Sequence, residues 1–240
     1  MNLDVLRPVL RARGLTLAVV AALVGASGPA LAADVPDASP AERLVFMQPH
    51  LANLKPPRQL QYQYVRDAEG EARQTDLMTL DFRGTPSGAC CAVEGTFMSG
   101  PRAMTLPPID EASSNPMLLY FLEFEVRELN RLTKGQSAHF RKRIRQALVD
   151  AAQVSPVTIR WDGRDVAAQE VRIRPYLDDP FRDRFEKQAR KEYAFVLSDA
   201  VPGGVYQIHT LVPSASAGGP PELRETLTLA PTLTPALPRK

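Results

Sequence analysis

Two amphipathic helical patterns follow one another in the middle of the chain, at Asn115–Gln153. With a rotation of about 100° per residue, the apolar positions of each pattern fall on one side of a helix. They are Leu118, Phe121, Leu122, Val126, Leu129 and Leu132 in the first helix and Phe140, Ile144, Ala147, Leu148 and Ala151 in the second. Asn115-Pro116 is typical of a helix start, Gly135 of a helix end and Ser137 of the next N-cap. We therefore predict an αα-hairpin with two core-facing stripes.

Alternation of apolar and polar residues predicts strands on both sides of this hairpin. Leu60, Tyr62 and Tyr64 alternate with glutamines, which is the pattern of a half-buried strand. The other predicted strands are Leu77–Phe82, Val93–Met98, Ala103–Leu106, Val157–Trp161, Val166–Arg174, Tyr193–Leu197, Val205–Val212 and, at an edge of the sheet, Thr226–Leu229. Asp162-Gly163 is a strong signal for a two-residue hairpin turn.

Two shorter helices are also predicted outside the sheet. Ser39–Glu42 has the spacing of a capping box, and Pro49 is expected to end the helix that it starts. Asp179-Pro180 is typical of the start of a third helix, in which Phe181 and Phe185 are four residues apart.

Together these elements predict an α+β protein, with a curved antiparallel sheet of about eight or nine strands. The two helical stripes must both be buried, so we expect the hairpin to pack on the concave face of a half-barrel-like sheet. This order of elements resembles the half-barrel with a helical plug of periplasmic lipoprotein carriers. The resemblance covers the first strands and the hairpin, and it implies a concave sheet that shelters acyl chains under helices. It transfers no individual residue to this chain.

The first 32 residues have the features of a secretory signal peptide. Three arginines precede an apolar run from Leu15 to Leu31, and Ala30-Leu31-Ala32 offers small residues for a signal peptidase. A retained membrane anchor is the alternative, but glycines and a proline interrupt the run. We therefore predict a periplasmic protein without an integral membrane segment after cleavage. It would consist of one α+β domain at 33–230 and a disordered tail at 231–240.

Removal of this signal changes the charge balance. The sequence contains 29 basic and 27 acidic residues, and the predicted signal contains three arginines and one aspartate, so 26 of each remain. A net charge of zero does not demand a strongly charged partner, and no recognised nucleic-acid-binding module is present. We predict that the protein does not bind nucleic acid.

Glu125 is the most unusual residue in the helical patterns, because it lies within the apolar stripe of the first helix. A carboxylate in such a place is paired with a cation, protonated, or exposed in a cavity. Arg141 or Arg143 on the second helix is the expected partner in the first case, and a ligand cavity is implied in the third. The candidate ligand-binding residues are Glu125, Phe121, Leu122, Leu129, Arg141 and Arg143.

The chemistry of the remaining residues gives little support to an enzyme. Cys90-Cys91 are adjacent, which allows a vicinal disulfide or a metal site in an oxidising compartment, and they are the candidates considered for a metal. The alternative to both is a pair of small thiols that are buried or lie in a loop. Without CxxC spacing or a nearby histidine, we predict no metal site and no cofactor. No HExxH or GxSxG motif is present, so whether the protein is an enzyme stays open, with a non-enzymatic role favoured.

Two functional hypotheses follow from these observations. The first is a periplasmic, non-enzymatic binding or carrier protein for a lipid or another apolar or amphipathic ligand, held in an apolar cleft between sheet and hairpin with a basic rim. The alternative is a structural or assembly partner in the cell envelope that docks another envelope protein through the helical hairpin.

Overall fold

A computed structural model of the chain describes residues 37–231, apart from 87, 89 and 217. The predicted signal peptide and residues 232–240 of the predicted tail lie outside this described part. The strands are β1 (Arg58–Ala68), β2 (Gln74–Gly84), β3 (Cys90–Thr96), β4 (Gln153–Trp161), β5 (Arg164–Ile173), β6 (Glu192–Leu197), β7 (Val205–Val212) and β8 (Leu223–Leu229). They form one eight-stranded sheet in the order β3-β2-β1-β8-β7-β6-β5-β4, in which every pair of neighbours is antiparallel.

The position of β8 differs from the prediction. It does not form an edge but lies between β1 and β7, with Tyr64 opposite Leu227 in the β1 pairing. The strand is longer than predicted and buries four alternate residues, the second of which is Glu225. The first and last strands of the chain thus meet in the middle of the sheet, and β3 and β4 form its edges.

Three α-helices accompany the sheet in the described part of the chain. They are α1 (Pro40–Glu42), which continues as a π-helical turn at Arg43–Met47, α2 (Met117–Thr133) and α3 (Ser137–Asp150). The capping box of α1 is confirmed, since Ser39 Oγ accepts a hydrogen bond from the Glu42 amide at 3.1 Å and a Glu42 carboxylate oxygen accepts from the Ser39 amide at 3.0 Å. No helix in the described part is long and apolar enough to cross a membrane.

The predicted hairpin of α2 and α3 is present, with small differences at its turn. Lys134, not Gly135, adopts the left-handed conformation that ends α2, with φ of 55°. Gln136 precedes α3, and Ser137 is its first residue. Because β3 and β4 are opposite edges of the sheet, the hairpin connects one edge to the other.

Two predicted elements are not formed. Ala103–Leu106 is not a strand, because it makes an isolated bridge between Met104 and Phe97 and runs into two prolines that cannot donate to a ladder. The third helix is replaced by two 3₁₀ turns at Arg182–Arg184 and Glu186–Arg190. Glu186 has φ of 50°, which interrupts an α-helix at that position.

The core lies between the concave face of the sheet and the hairpin. Leu60, Tyr62 and Tyr64 are fully buried, as the alternation in β1 predicted. The ring of Phe124 on α2 meets that of Tyr64 edge-on, at 6.4 Å between centroids, and Phe140 on α3 packs on Phe185 at 5.3 Å. The predicted fold class is therefore confirmed: a curved antiparallel sheet with a helical hairpin on its concave face.

Candidate functional site

The start of α2 is held in place by one buried side chain. Asn115 is 1% exposed, and its Oδ1 accepts a hydrogen bond from the Met117 amide at 3.0 Å. Its Nδ2 donates to the Tyr62 hydroxyl and to the Gly203 carbonyl, both at 2.8 Å. These bonds connect the first turn of α2 to β1 and to the turn between β6 and β7. They fix the orientation of the helix, and with it the two cavities along its sides.

The first cavity is an apolar groove of about 550 Å³, which we call the hairpin groove. It is formed by α1 and its π-helical turn, α2, α3 and residues 104–107. Its principal apolar side chains are Phe46, Leu106, Leu119, Leu122, Val126 and Ile144, and its charged side chains are Glu42, Glu123, Arg127, Arg141 and Arg145. The apolar cleft expected between sheet and hairpin is thus in a different place, because helices and a loop line this groove.

An exposed leucine marks the hairpin groove. Leu119 on α2 is 57% exposed, although the neighbouring Leu118 and Tyr120 are buried. A single exposed leucine is common on protein surfaces, but one that borders an apolar concavity adds to a continuous patch. The groove therefore has the shape and lining of a site for an apolar group.

The charges at the rim of the groove do not balance. Glu123 accepts from Arg127 at 3.2 Å and from Arg141 at 2.9 Å, so one carboxylate serves two guanidinium groups. Arg145 has no ion-pair partner among the residues that the structure describes. Glu42 is engaged by the Ser39 amide in the capping box. The rim consequently presents a guanidinium group that is available to an anion.

The second cavity, of about 400 Å³, lies on the other side of α2, and we call it the charged cavity. Its charged side chains are Arg66, Glu71, Arg102, Glu125, Glu128, Arg131, Lys187, Lys191, Glu222 and Glu225. Glu125 contributes to its floor and is fully buried. The sequence allowed three alternatives for Glu125: a cation partner, protonation, or exposure in a cavity. In the structure Glu125 has a cation partner and also lines a cavity.

The cation beside Glu125 is not the one predicted. Lys191 Nζ lies 2.5 Å from a Glu125 carboxylate oxygen. Arg141 is paired with Glu123, and Arg143 Nε lies 3.0 Å from the buried carboxylate of Asp179. The prediction of an Arg141 or Arg143 partner is wrong because both arginines lie on α3, whereas Glu125 points from α2 towards the sheet.

Glu225 on β8 completes the cluster around Lys191. Its Oε2 lies 3.0 Å from Lys191 Nζ and accepts from the Thr210 hydroxyl at 2.8 Å, and its Oε1 accepts from the Tyr64 hydroxyl at 2.7 Å. Burial opposes its ionisation, but Lys191 and the hydroxyl donors outweigh burial and lower the pKa of Glu225 to about 2. Burial raises the pKa of Glu125 to about 7 against the attraction of Lys191.

The structure divides the predicted site residues among several places. Leu122 and Arg141 line the hairpin groove, and Glu125 lines the charged cavity. Phe121 and Leu129 are buried and line neither of these cavities. The residues that the prediction missed are Leu119, Arg145, Lys191 and Glu225. The sequence contained a signal that Glu225 would be buried. Leu223, Glu225, Leu227 and Leu229 are two residues apart, so they lie on the same face of a strand.

Cys90 and Cys91 are joined as a vicinal disulfide at the start of the edge strand β3. This is one of the three alternatives that the sequence allowed for them, the others being a metal site and two buried or loop thiols. Within the described part of the chain, no group of three or more histidine, cysteine, aspartate or glutamate side chains is placed to hold a metal ion.

Comparison with known proteins gives only distant likenesses. No protein-family model and no curated protein matches the chain. Among solved structures, it is similar to the lipoprotein LppX of Mycobacterium tuberculosis, with 9% identity, a TM-score of 0.34 and coverage of 80% of this chain and 95% of that one. LprF from Mycobacterium bovis has 11% identity, a TM-score of 0.31 and coverage of 80% and 93%. A LolA-superfamily protein from Nitrosomonas europaea has 9% identity, a TM-score of 0.22 and coverage of 84% and 96%. Because these values are low, we infer nothing about function from them.

Proposed function

We propose that this protein is an exported, non-enzymatic binding or carrier protein for an amphipathic ligand, which it holds in the hairpin groove. The ligand would have an apolar chain and an anionic head group. The observation that carries the proposal is an apolar groove of about 550 Å³ beside an arginine, Arg145, that has no ion-pair partner in the described part of the chain. This volume is within the range of about 300 to 1,000 Å³ that is usual for small-molecule sites.

The two parts of the ligand are expected to contact different residues. The apolar chain of the ligand would cover Leu119 and the aliphatic side chains beneath it. This contact would remove apolar surface from water. The head group would accept hydrogen bonds from Arg145, since a guanidinium group fits a carboxylate or a phosphate oxygen pair. Export to the periplasm is inferred from the charged and apolar pattern of residues 1–32 alone.

Calorimetric titration with soluble amphiphiles tests the proposal. Dodecanoate is expected to bind to the full mature chain, whereas hexanoate, with a shorter chain, and dodecyltrimethylammonium, with the opposite charge, bind more weakly. Leu119→Ser should weaken dodecanoate binding by about tenfold, the effect of leaving much of one leucine contact unmade. Leu132→Ser is the matched control, because Leu132 is 50% exposed on the same helix but does not line the groove.

The head-group contact is tested separately on α3. Arg145→Gln should weaken dodecanoate binding by about three- to tenfold, as expected for loss of a charge-assisted hydrogen bond, and should leave the cationic amphiphile unaffected. Lys142→Gln serves as the control, since Lys142 is exposed on the same helix but outside the groove. Absence of dodecanoate binding, equally tight binding of the cationic amphiphile, or equal effects of all four variants would contradict the proposal.

The alternative role as an envelope assembly partner stays a hypothesis. Charge reversal at Arg141–Arg143 is not a suitable test of it, because Arg141 and Arg143 form ion pairs within the chain. A better test is co-purification of the Leu119→Ser variant from the periplasm. Loss of a bound protein in that variant would favour assembly, and release of a small amphiphile from the unmodified protein in native mass spectrometry would favour the carrier.

A further inference from the structure

The cluster of Glu125, Lys191 and Glu225 attaches the hairpin to the sheet independently of the hairpin groove. Glu125 belongs to α2, Lys191 directly precedes β6, and Glu225 belongs to β8. Their exposed fractions are 0%, 3% and 3%. The three residues lie far apart in the sequence, so the cluster exists only when α2 is seated against the strands.

The cluster contains one more acid than base. Two carboxylates share one ammonium group, with Lys191 Nζ 2.5 Å from Glu125 and 3.0 Å from Glu225. Arg66 also lies 3.8 Å from Glu225, but it is itself paired with Glu71. With both carboxylates ionised, Glu125 would therefore have only a shared ammonium group to balance its charge, which a low-dielectric environment disfavours. Binding of one proton removes the need for a second cation.

The hydrogen bonds decide which carboxylate takes the proton. Glu225 accepts from Tyr64 and Thr210 in addition to Lys191, and both hydroxyl donors stabilise its ionised form. Neither carboxylate oxygen of Glu125 accepts a hydrogen bond of good geometry among the described residues, and Lys191 is its ion-pair partner. The proton therefore resides on Glu125.

Several other charged groups surround the cluster, and most of them pair with residues outside it. The titratable groups that face it are Arg66 and Tyr64 on β1, Arg102 before α2, Glu128 and Arg131 on α2, Tyr176 after β5, Lys187 and Glu222 at the cavity wall, and Tyr193 on β6. Arg66 pairs with Glu71 at 2.5 Å and also lies 3.8 Å from Glu225, and Arg131 pairs with Glu128 at 2.8 Å. The Arg102 guanidinium group lies over the Tyr64 ring, 5.3 Å from its centroid. Among the described residues, Lys191 is the one cation within ion-pair distance of Glu125.

We propose that Glu125 and Glu225 hold one proton between them near neutral pH, and that loss of this proton loosens the attachment of α2 to the sheet. The raised pKa of Glu125, about 7, agrees with this arrangement. The floor of the charged cavity would then gain one negative charge as the pH rises through neutrality. Any polar ligand of that cavity would be bound in a pH-dependent way.

The direction of the pH effect follows from proton linkage. The pKa of Glu125 is raised in the folded state, so α2 in its seated position keeps the proton that a detached or unfolded segment releases above its ordinary pKa of 4.5. Detachment is therefore coupled to proton release between about pH 5 and 7. In that window the equilibrium constant for detachment of α2 from the sheet should increase by up to about tenfold per pH unit, which is the limit for one linked proton.

Hydrogen exchange of the backbone amides in α2 measures this detachment. After correction for the intrinsic rates, amides near Glu125 in the full mature chain should exchange up to about tenfold faster per pH unit between pH 5 and 7. Glu125→Gln should remove this dependence, because glutamine cannot titrate. Glu128→Gln is the matched control: it changes an acid one turn away that pairs with Arg131, and it should keep the wild-type dependence.

A direct titration keeps the proposal testable if Glu125→Gln does not fold. In carbon NMR of the wild-type protein labelled at glutamate side chains, one buried carboxyl group should titrate between pH 6 and 8. If no glutamate titrates there, the proposal is wrong. It is also wrong if α2 exchange depends on the concentration of sodium or potassium and not on pH, since a bound cation would then neutralise the cluster.

Discussion

The two sides of α2 differ in how the helix uses its polar and apolar residues. On the side of the hairpin groove, Leu119 is exposed and the charged residues Glu123 and Arg127 are at the surface. On the side of the sheet, the apolar residues are packed and the acid Glu125 is fully buried with Lys191. The groove thus leaves apolar surface in water, and the core encloses charge.

Each side carries an unfavourable arrangement that a bound species can relieve. An apolar chain in the hairpin groove would cover Leu119, and a proton on Glu125 neutralises the cluster at the sheet. Stability and ligand binding should therefore respond to different substitutions on one helix. Substitutions on the two sides of α2 test this separation.

The largest effect is expected from removing the buried cation. Lys191→Met leaves Glu125 and Glu225 without their ammonium partner, which should lower the free energy of unfolding by about 3 to 5 kcal/mol at pH 8. Urea denaturation followed by circular dichroism measures this change. Lys187→Met, at a 51% exposed side chain, is the control and should have little effect. If both lysine variants have similar stability, the cluster does not hold the hairpin.

A smaller loss of stability is expected from a substitution at the start of α2. Asn115→Ala deprives the Gly203 carbonyl and the Met117 amide of their buried partner, so unfolding should require about 1 to 3 kcal/mol less free energy. Thermal denaturation at constant pH provides the measurement. Asn130→Ala, which removes one exposed bond to the Gly135 carbonyl, should cost less than Asn115→Ala. A larger loss of stability in Asn130→Ala than in Asn115→Ala would show that Asn115 does not anchor the helix.

The smallest effect is expected on the groove side, at Arg141. Its pair with Glu123 is half-exposed, and pairs of this kind contribute about 0.2 to 1 kcal/mol and are weakened by salt. Arg141→Gln should therefore change stability only slightly, and the difference should vanish at high ionic strength. Arg143→Gln should be more harmful, because it removes a partner of the buried Asp179. Equal urea midpoints for the two variants would contradict this ranking.

Local patterns predicted much of the fold because they depend on neighbours in the sequence. The alternation in β1 placed Tyr62 and Tyr64 in the core, and Asp162-Gly163 forms the expected turn with φ of 46° and 75°. The strands β6 and β7 have the predicted range or lie within one residue of it. The type of an element and the side that it buries are thus largely local properties.

Pairings between distant segments were not predictable in the same way. Nothing in the local pattern of Thr226–Leu229 indicates that β8 lies between β1 and β7 in the middle of the sheet. That position brings Glu225 next to Lys191 and Glu125, across separations of 34 and 100 residues. The two arginines on α3 were reasonable partners for Glu125 by sequence proximity, but they pair with Glu123 and Asp179 instead.

The sequence by itself determined the αα-hairpin, the alternating strands and the presence of an acid on an apolar helix face, because helical and strand periodicity act over a few residues. Tertiary structure decided what surrounds each side chain. It selected Lys191 as the partner of Glu125 and left Leu119 exposed at an apolar groove. The reason is that burial and ion pairing depend on which distant segments contact each other, and the order of strands in the sheet determines those contacts.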